Sequence, residues 1–139
     1  MAFVGLALTV NFPAPASEAS ASPAMANIPI NMTIRCAGND LGEVRIVPYT
    51  ARLSKGRDDR ARWQLMQASD VTVVTIRVKE DSSWPFASPT PPFNVSRGGG
   101  NAVTSGPIDA SASGSYLYDI FADCGSGPTR IDPRMEIDS

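Results

Sequence analysis

From Asn27 onward the apolar residues recur at every second position. Ile28, Ile30, Met32, Ile34 and Cys36 alternate with polar or small neighbours. That period buries one face of an extended strand and leaves the other in water. The same rhythm returns in Val44, Ile46 and Pro48, where the proline marks an edge or a bulge. Ala61, Trp63 and Leu65 turn inward against Arg62, Gln64 and Met66; Val74, Ile76 and Val78 do so against Thr75, Arg77 and Lys79. Ser115 to Cys124 and Arg130 to Asp138 complete the set, the last with Ile131, Met135 and Ile137 on one face. No window carries a convincing helical period, which excludes a helical bundle. Turn chemistry at Ala37–Asp40 and Lys55–Asp59 separates the runs. Residues 80–113 form a long Pro/Gly/Ser-rich stretch with no clear pattern. The expected fold is all-β: an antiparallel Greek-key β-sandwich of about seven strands.

The chain has 139 residues, of which 42% are apolar, enough for one core without metal. It divides at residue 26. Residues 2–10 are a short uncharged apolar run, too short for a bilayer span but the right length for the core of a secretory signal. Twelve of the fourteen residues from Pro13 to Ala26 are Ala, Pro or Ser, a tract with too little apolar bulk to order itself. Ala19-Ser20-Ala21 and Ala24-Met25-Ala26 both fit a small-residue cleavage pattern. No Lys or Arg precedes the apolar run, so the alternative is a cytoplasmic chain starting at Met25. Residues 1–26 are expected outside the fold, and 27–139 as one domain.

Several chemistries are excluded by residue type. There is no histidine, which removes the commonest catalytic base and metal ligand. A serine triad is therefore unavailable. The net charge is −2 and the pI about 5.0, against the basic stripe of a nucleic-acid binder. The one basic concentration, Arg52, Lys55, Arg57, Arg60 and Arg62, is interrupted by Asp58 and Asp59. It reads as a solvated turn or a site for an anionic partner. Arg97-Gly98-Gly99-Gly100 lacks the spacing of a phosphate loop.

Four constellations stay open. Cys36 and Cys124 each end an alternating strand in the inward register, so they form a structural disulfide, two buried free thiols or a redox pair. The carboxylates Asp119, Asp123, Asp132, Glu136 and Asp138 form a solvated face, a weak cation site or an acid/base pair. Trp84, Phe86 and Arg97 outline a binding patch in loops 80–113, with Trp84-Pro85-Phe86 alternatively a plug closing one end of the sandwich. Asn31-Met32-Thr33 and Asn94-Val95-Ser96 match the glycosylation acceptor pattern, a match that arises often by chance.

Three pieces of the sequence are similar to small bacterial extracytoplasmic domains of the cupredoxin-like type. They are Arg62-Trp63-Gln64-Leu65 after a Gly/Asp turn, the valine-rich strand leading to Lys79 and Trp84-Pro85-Phe86, and Gly114-Ser115-Tyr116-Leu117-Tyr118-Asp119 followed by Ile131 to Ile137. The resemblance implies a cupredoxin-like or immunoglobulin-like sandwich in which Gly-x-Tyr-x-Tyr enters the penultimate strand. It resembles the non-metallated branch of the group. Blue copper needs two imidazoles and a thiolate, and the chain has none of the former. Cys124 and Met135 are expected at the end of the sandwich where a copper loop would sit. No cofactor and no metal are expected. The leading expectation is a secreted or periplasmic, non-enzymatic structural or interaction module. The alternative is a small-molecule or glycan-binding module using loops 80–113. A monomer is the simplest state, with no nucleic-acid partner and no membrane span.

Overall fold

The alternating runs become strands, and there are more of them than their visible rhythm announced. The computed structural model describes residues 26–139. The signal-like run and nearly all of the Ala/Pro/Ser tract lie outside the described residues. Ten strands follow in order: β1 (Asn27–Ala37), β2 (Asp40–Val47), β3 (Thr50–Ser54), β4 (Arg60–Leu65), β5 (Val73–Val78), β6 (Phe93–Ser96), β7 (Val103–Thr104), β8 (Gly114–Asp123), β9 (Pro128–Ile131) and β10 (Arg134–Asp138). A single 3-10 turn at Gly99–Asn101 is the one helical element among the described residues.

Two sheets face each other. The smaller has the order β2-β1-β4-β7, and the larger β3-β10-β8-β5-β6, with β9 added beside β8. The arrangement is sandwich-like and all-β, as the period-two pattern requires. Two expectations need correction. The strand count is ten, not about seven. The sheets are also mixed: β1 runs parallel to β4 and β10 parallel to β3, while the other pairs are antiparallel. Both parallel pairs join strands distant in sequence, so no local pattern could announce them.

The extra strands are short. Behind Pro48 the chain leaves the smaller sheet and enters the larger as β3, burying Ala51 and Leu53 completely. The stretch read as one terminal strand breaks at Asp132-Pro133 into two. β9 pairs with the far half of β8 and β10 with its near half. β6 and β7 lie within the supposedly irregular 80–113 stretch.

Alternation decides burial. Ile30, Met32 and Ile34 of β1 are fully buried, as are Ala61, Trp63 and Leu65 of β4. Facing them from the larger sheet are Val74, Ile76, Tyr118, Ile120 and Met135. Full burial of each large aliphatic side chain contributes about 1.5–3 kcal/mol through the hydrophobic effect. Past Leu65, β4 ends, and the 66–70 connector takes its place along β1. Met66 N–H donates to the Met32 carbonyl (2.8 Å) and Asp70 N–H to the Ile34 carbonyl (2.7 Å). The backbone of β1 thus stays satisfied beyond its partner strand.

Candidate functional site

Cys36 and Cys124 form a disulfide across the sandwich, with Cα atoms 5.7 Å apart and a sequence separation of 88. β1 delivers Cys36 from one sheet and the end of β8 delivers Cys124 from the other. Of the three states left open by the sequence, the bridge is the one present. The surrounding turns are close-fitting. Gly125 has φ +128°, and a Cβ there would sit 2.9 Å from Asn39 Oδ1, so glycine is required. Ser126 Oγ donates to the Asn39 carbonyl (2.7 Å), and Asp123 Oδ1 accepts from Gly125 N–H (2.7 Å). Asp70 Oδ2 accepts from Cys36 N–H at 2.8 Å and from Arg35 Nε at 3.3 Å. The Cys36 hydrogen bond, with Arg35 adding to it, holds the Asp70 carboxyl below its ordinary range.

About 20 Å farther along both β1 and β8, at extended-strand spacing, lies an aromatic cluster. Trp63 is its centre. Trp84 stacks on it with centroids 5.6 Å apart and planes inclined by 22°. Phe86, Phe93 and Tyr118 approach it edge-on, at 6.1, 5.5 and 6.0 Å. Trp63 Nε1 donates to Tyr118 Oη (3.2 Å), and Trp84 Nε1 to the Pro89 carbonyl (3.0 Å). Both indole donors are therefore met. Burial pushes the Tyr118 phenol up, keeping it neutral. The 80–113 segment is closed over the cluster by its own backbone. Ala87 N–H donates to the Pro107 carbonyl and Asp109 N–H to the Pro85 carbonyl, at 3.0 and 2.7 Å.

The plug describes the geometry of Trp84 and Phe86: Phe86 is 5% exposed and Trp84 half-buried. Arg97 does not join them. Its guanidinium donates to the Ser69 carbonyl (2.9 Å), bracing the β4–β5 connector.

The carboxylates also separate. Asp119 is 5% exposed, because Lys79 lies over it. Lys79 Nζ reaches Asp119 Oδ1 at 3.3 Å and Asp132 Oδ1 at 2.7 Å. The bond to Lys79 lowers the Asp132 carboxyl, and the bond to Asp132 raises the Lys79 ammonium. Arg130 Nε lies 3.7 Å from the same Asp132 oxygen, so part of this face is a four-residue ion cluster around Lys79 and Asp132. Glu136 instead accepts from Ser115 Oγ (2.8 Å), and Asp123 is spent on the Gly125 and Gly127 amides. The basic run divides likewise. Lys55 donates to the Ala110 and Ala112 carbonyls, Arg57 to Asp59, and Arg62 to Gln64.

The residues do not fit a copper centre. Cys124 has its sulfur in the disulfide. Met135 lies opposite Tyr116, eight residues from Cys124 on β8, or about 26 Å of extended chain. The expectation that they share one end is corrected: β10 pairs with the beginning of β8, and β9 occupies the end.

Two shallow cavities open on the outer faces of the sheets. One, of about 390 Å³, is walled by Glu43, Arg45 and Val47 of β2 and by Met66 and Ala68 of the connector. The other, of about 310 Å³, is lined by Thr75, Arg77, Phe121 and Pro128, with Arg77 5.6 Å above the Phe121 ring. Neither cavity was anticipated, since each needs a segment brought in from elsewhere in the chain: the 66–68 connector beside the β1–β2 hairpin, and β5 beside β8. No protein-family model matches the chain, and no curated protein matches it either.

Proposed function

We propose that the chain is a non-enzymatic, extracytoplasmic sandwich of the cupredoxin-like type, serving as a structural or interaction module. The observation that carries this reading is the use made of the reactive and aromatic side chains. The two thiols are joined, Lys79 holds two carboxylates, and the rings of the long segment pack on Trp63. All of these groups serve cohesion.

The cupredoxin-like part draws support from where the three sequence pieces meet. Trp63 of the first donates to Tyr118 of the third, Trp84 of the second packs against both, and Phe86 packs against Trp63. Export draws support from the disulfide, which persists in oxidising compartments. A glycan or small-molecule site built on Trp84 and Phe86 would compete with their packing against Trp63.

Thermal unfolding in the presence of divalent metals, glycans and small metabolites tests the reading. No saturable rise in midpoint is expected. A compound that selectively binds the folded state would raise it by several degrees, and such a compound would replace the module by a ligand-binding protein.

A further inference from the structure

The sheet edges of this molecule are unequal. β7 has two residues. β6 has four and follows Pro91-Pro92, β9 has four and begins at Pro128, and β3 has five and follows Pro48. Short strands and prolines are the usual protection of an open edge against further pairing. β2 has eight residues, contains no proline and, among the described residues, pairs on one side only, with β1. Its single irregularity is a bulge: Gly42 and Glu43 together stand opposite Arg35, between the Ile34–Val44 and Cys36–Leu41 pairs. From Val44 to Val47 the strand is regular.

The outward side chains on either side of Val44, one from the bulge and one from the regular part, are also unusual. Glu43 and Arg45 are both exposed, and neither has an ion pair or a side-chain hydrogen bond among the described residues. Val47 beside them is 51% exposed. Two opposite charges flanking one residue are self-complementary about a two-fold axis.

We propose that the free edge of β2 pairs antiparallel with β2 of a second copy of this chain, with the two-fold axis passing between the two Val44 residues. In that register Glu43 of each copy stands across from Arg45 of the other. Moving the axis to residue 45 would oppose two guanidinium groups, and moving it to residue 43 two carboxylates, both unfavourable across a strand pair. Charge thus selects the register, and the isologous contact closes at two subunits. The paired segment is only a few residues long, whereas tight interfaces bury roughly 1,000 Å² or more, so the dimer is reversible and concentration-dependent. This goes beyond the reading above, because self-association neither needs nor supplies another partner.

Sedimentation velocity of the full chain over a concentration series tests it. The protein should move from monomer to dimer as concentration rises, and less so in high salt, which screens the charge pairs. Arg45→Glu alone and Glu43→Arg alone should each weaken the dimer about tenfold or more. Mixing the two single variants, or combining both changes in one chain, should restore it. Unchanged thermal midpoints of these surface variants exclude misfolding. A protein that stays monomeric up to about 1 mM, an Arg45→Glu variant that dimerises like the parent, or a mixture that fails to recover would each overturn the proposal.

Discussion

The two sheets are joined in two places by different physics. At one level along β1 and β8 a single covalent bond ties Cys36 to Cys124, amid polar turns and hydrogen bonds to half-exposed groups. Farther along, Trp63 and Tyr118 meet in a dry aromatic cluster beneath the 80–113 segment. The disulfide acts chiefly on the unfolded chain, by forbidding its more extended states. The cluster acts on the folded state, by excluding water and packing rings edge to face. Removing one should leave the native structure nearly unchanged and lower its stability; removing the other should alter the native structure itself.

The largest effect is expected at the cluster. Trp63→Ala empties a fully buried site touched by four other rings, leaves Tyr118 Oη without its indole partner and should cost about 3–5 kcal/mol. That is a large share of the total stability of a domain this size. The denaturant midpoint should fall steeply and the aromatic circular dichroism should collapse with it. A loss below about 1.5 kcal/mol would mean that the segment closes over the hole, and the cluster would no longer be the stronger junction.

Replacing both Cys36 and Cys124 with Ala comes next. Their sequence separation is 88, and a loss of about 2–4 kcal/mol is expected. The aromatic circular dichroism of the folded protein should be retained, because Trp63 lies about 20 Å away along either strand. Its loss in this variant would erase the distinction between the two junctions.

The same contrast governs what could be read in advance. Register placed both thiols inward but left their state open: Cys36 continues the buried series Ile30-Met32-Ile34, and Cys124 continues Tyr118-Ile120-Ala122, whereas the bond between them needed the structure. Period two carries that information over any strand long enough to show it, and β1, β4, β5 and β8 were legible for that reason. β3, β6, β7 and β9 were not, because two to five residues cannot display a period. Their existence depends on partners elsewhere in the chain. Asp119 shows a different limit. Its outward position was correct, but the pattern could not say that Lys79, at the end of a neighbouring strand, would fold over it. The cluster lay between these cases. Trp63 inward and Trp84-Pro85-Phe86 as a plug were both readable, whereas their contact with each other was not.

The smallest expected effect sharpens the comparison at the covalent junction. Asp70 is attached to Cys36 through its backbone amide, and that hydrogen bond with the Arg35 pair lowers its carboxyl. A carboxyl lowered in the folded state contributes stability at pH values above its ordinary titration range. That contribution fades as acid protonates the folded group, hence below about pH 4. Asp70→Asn keeps an oxygen acceptor for the Cys36 amide but removes the charge. At neutral pH its unfolding midpoint should lie slightly below that of the parent. Toward pH 3 the two midpoints should converge, because the parent loses what the variant never had. The side chain is 43% exposed, so solvent screening keeps the gap small. With the disulfide removed the convergence should persist, since the hydrogen bond belongs to the β1 backbone and not to sulfur. Midpoints that diverge in acid would mean that Asp70 is stabilising as the neutral acid, reversing the sign of its role beside Cys36.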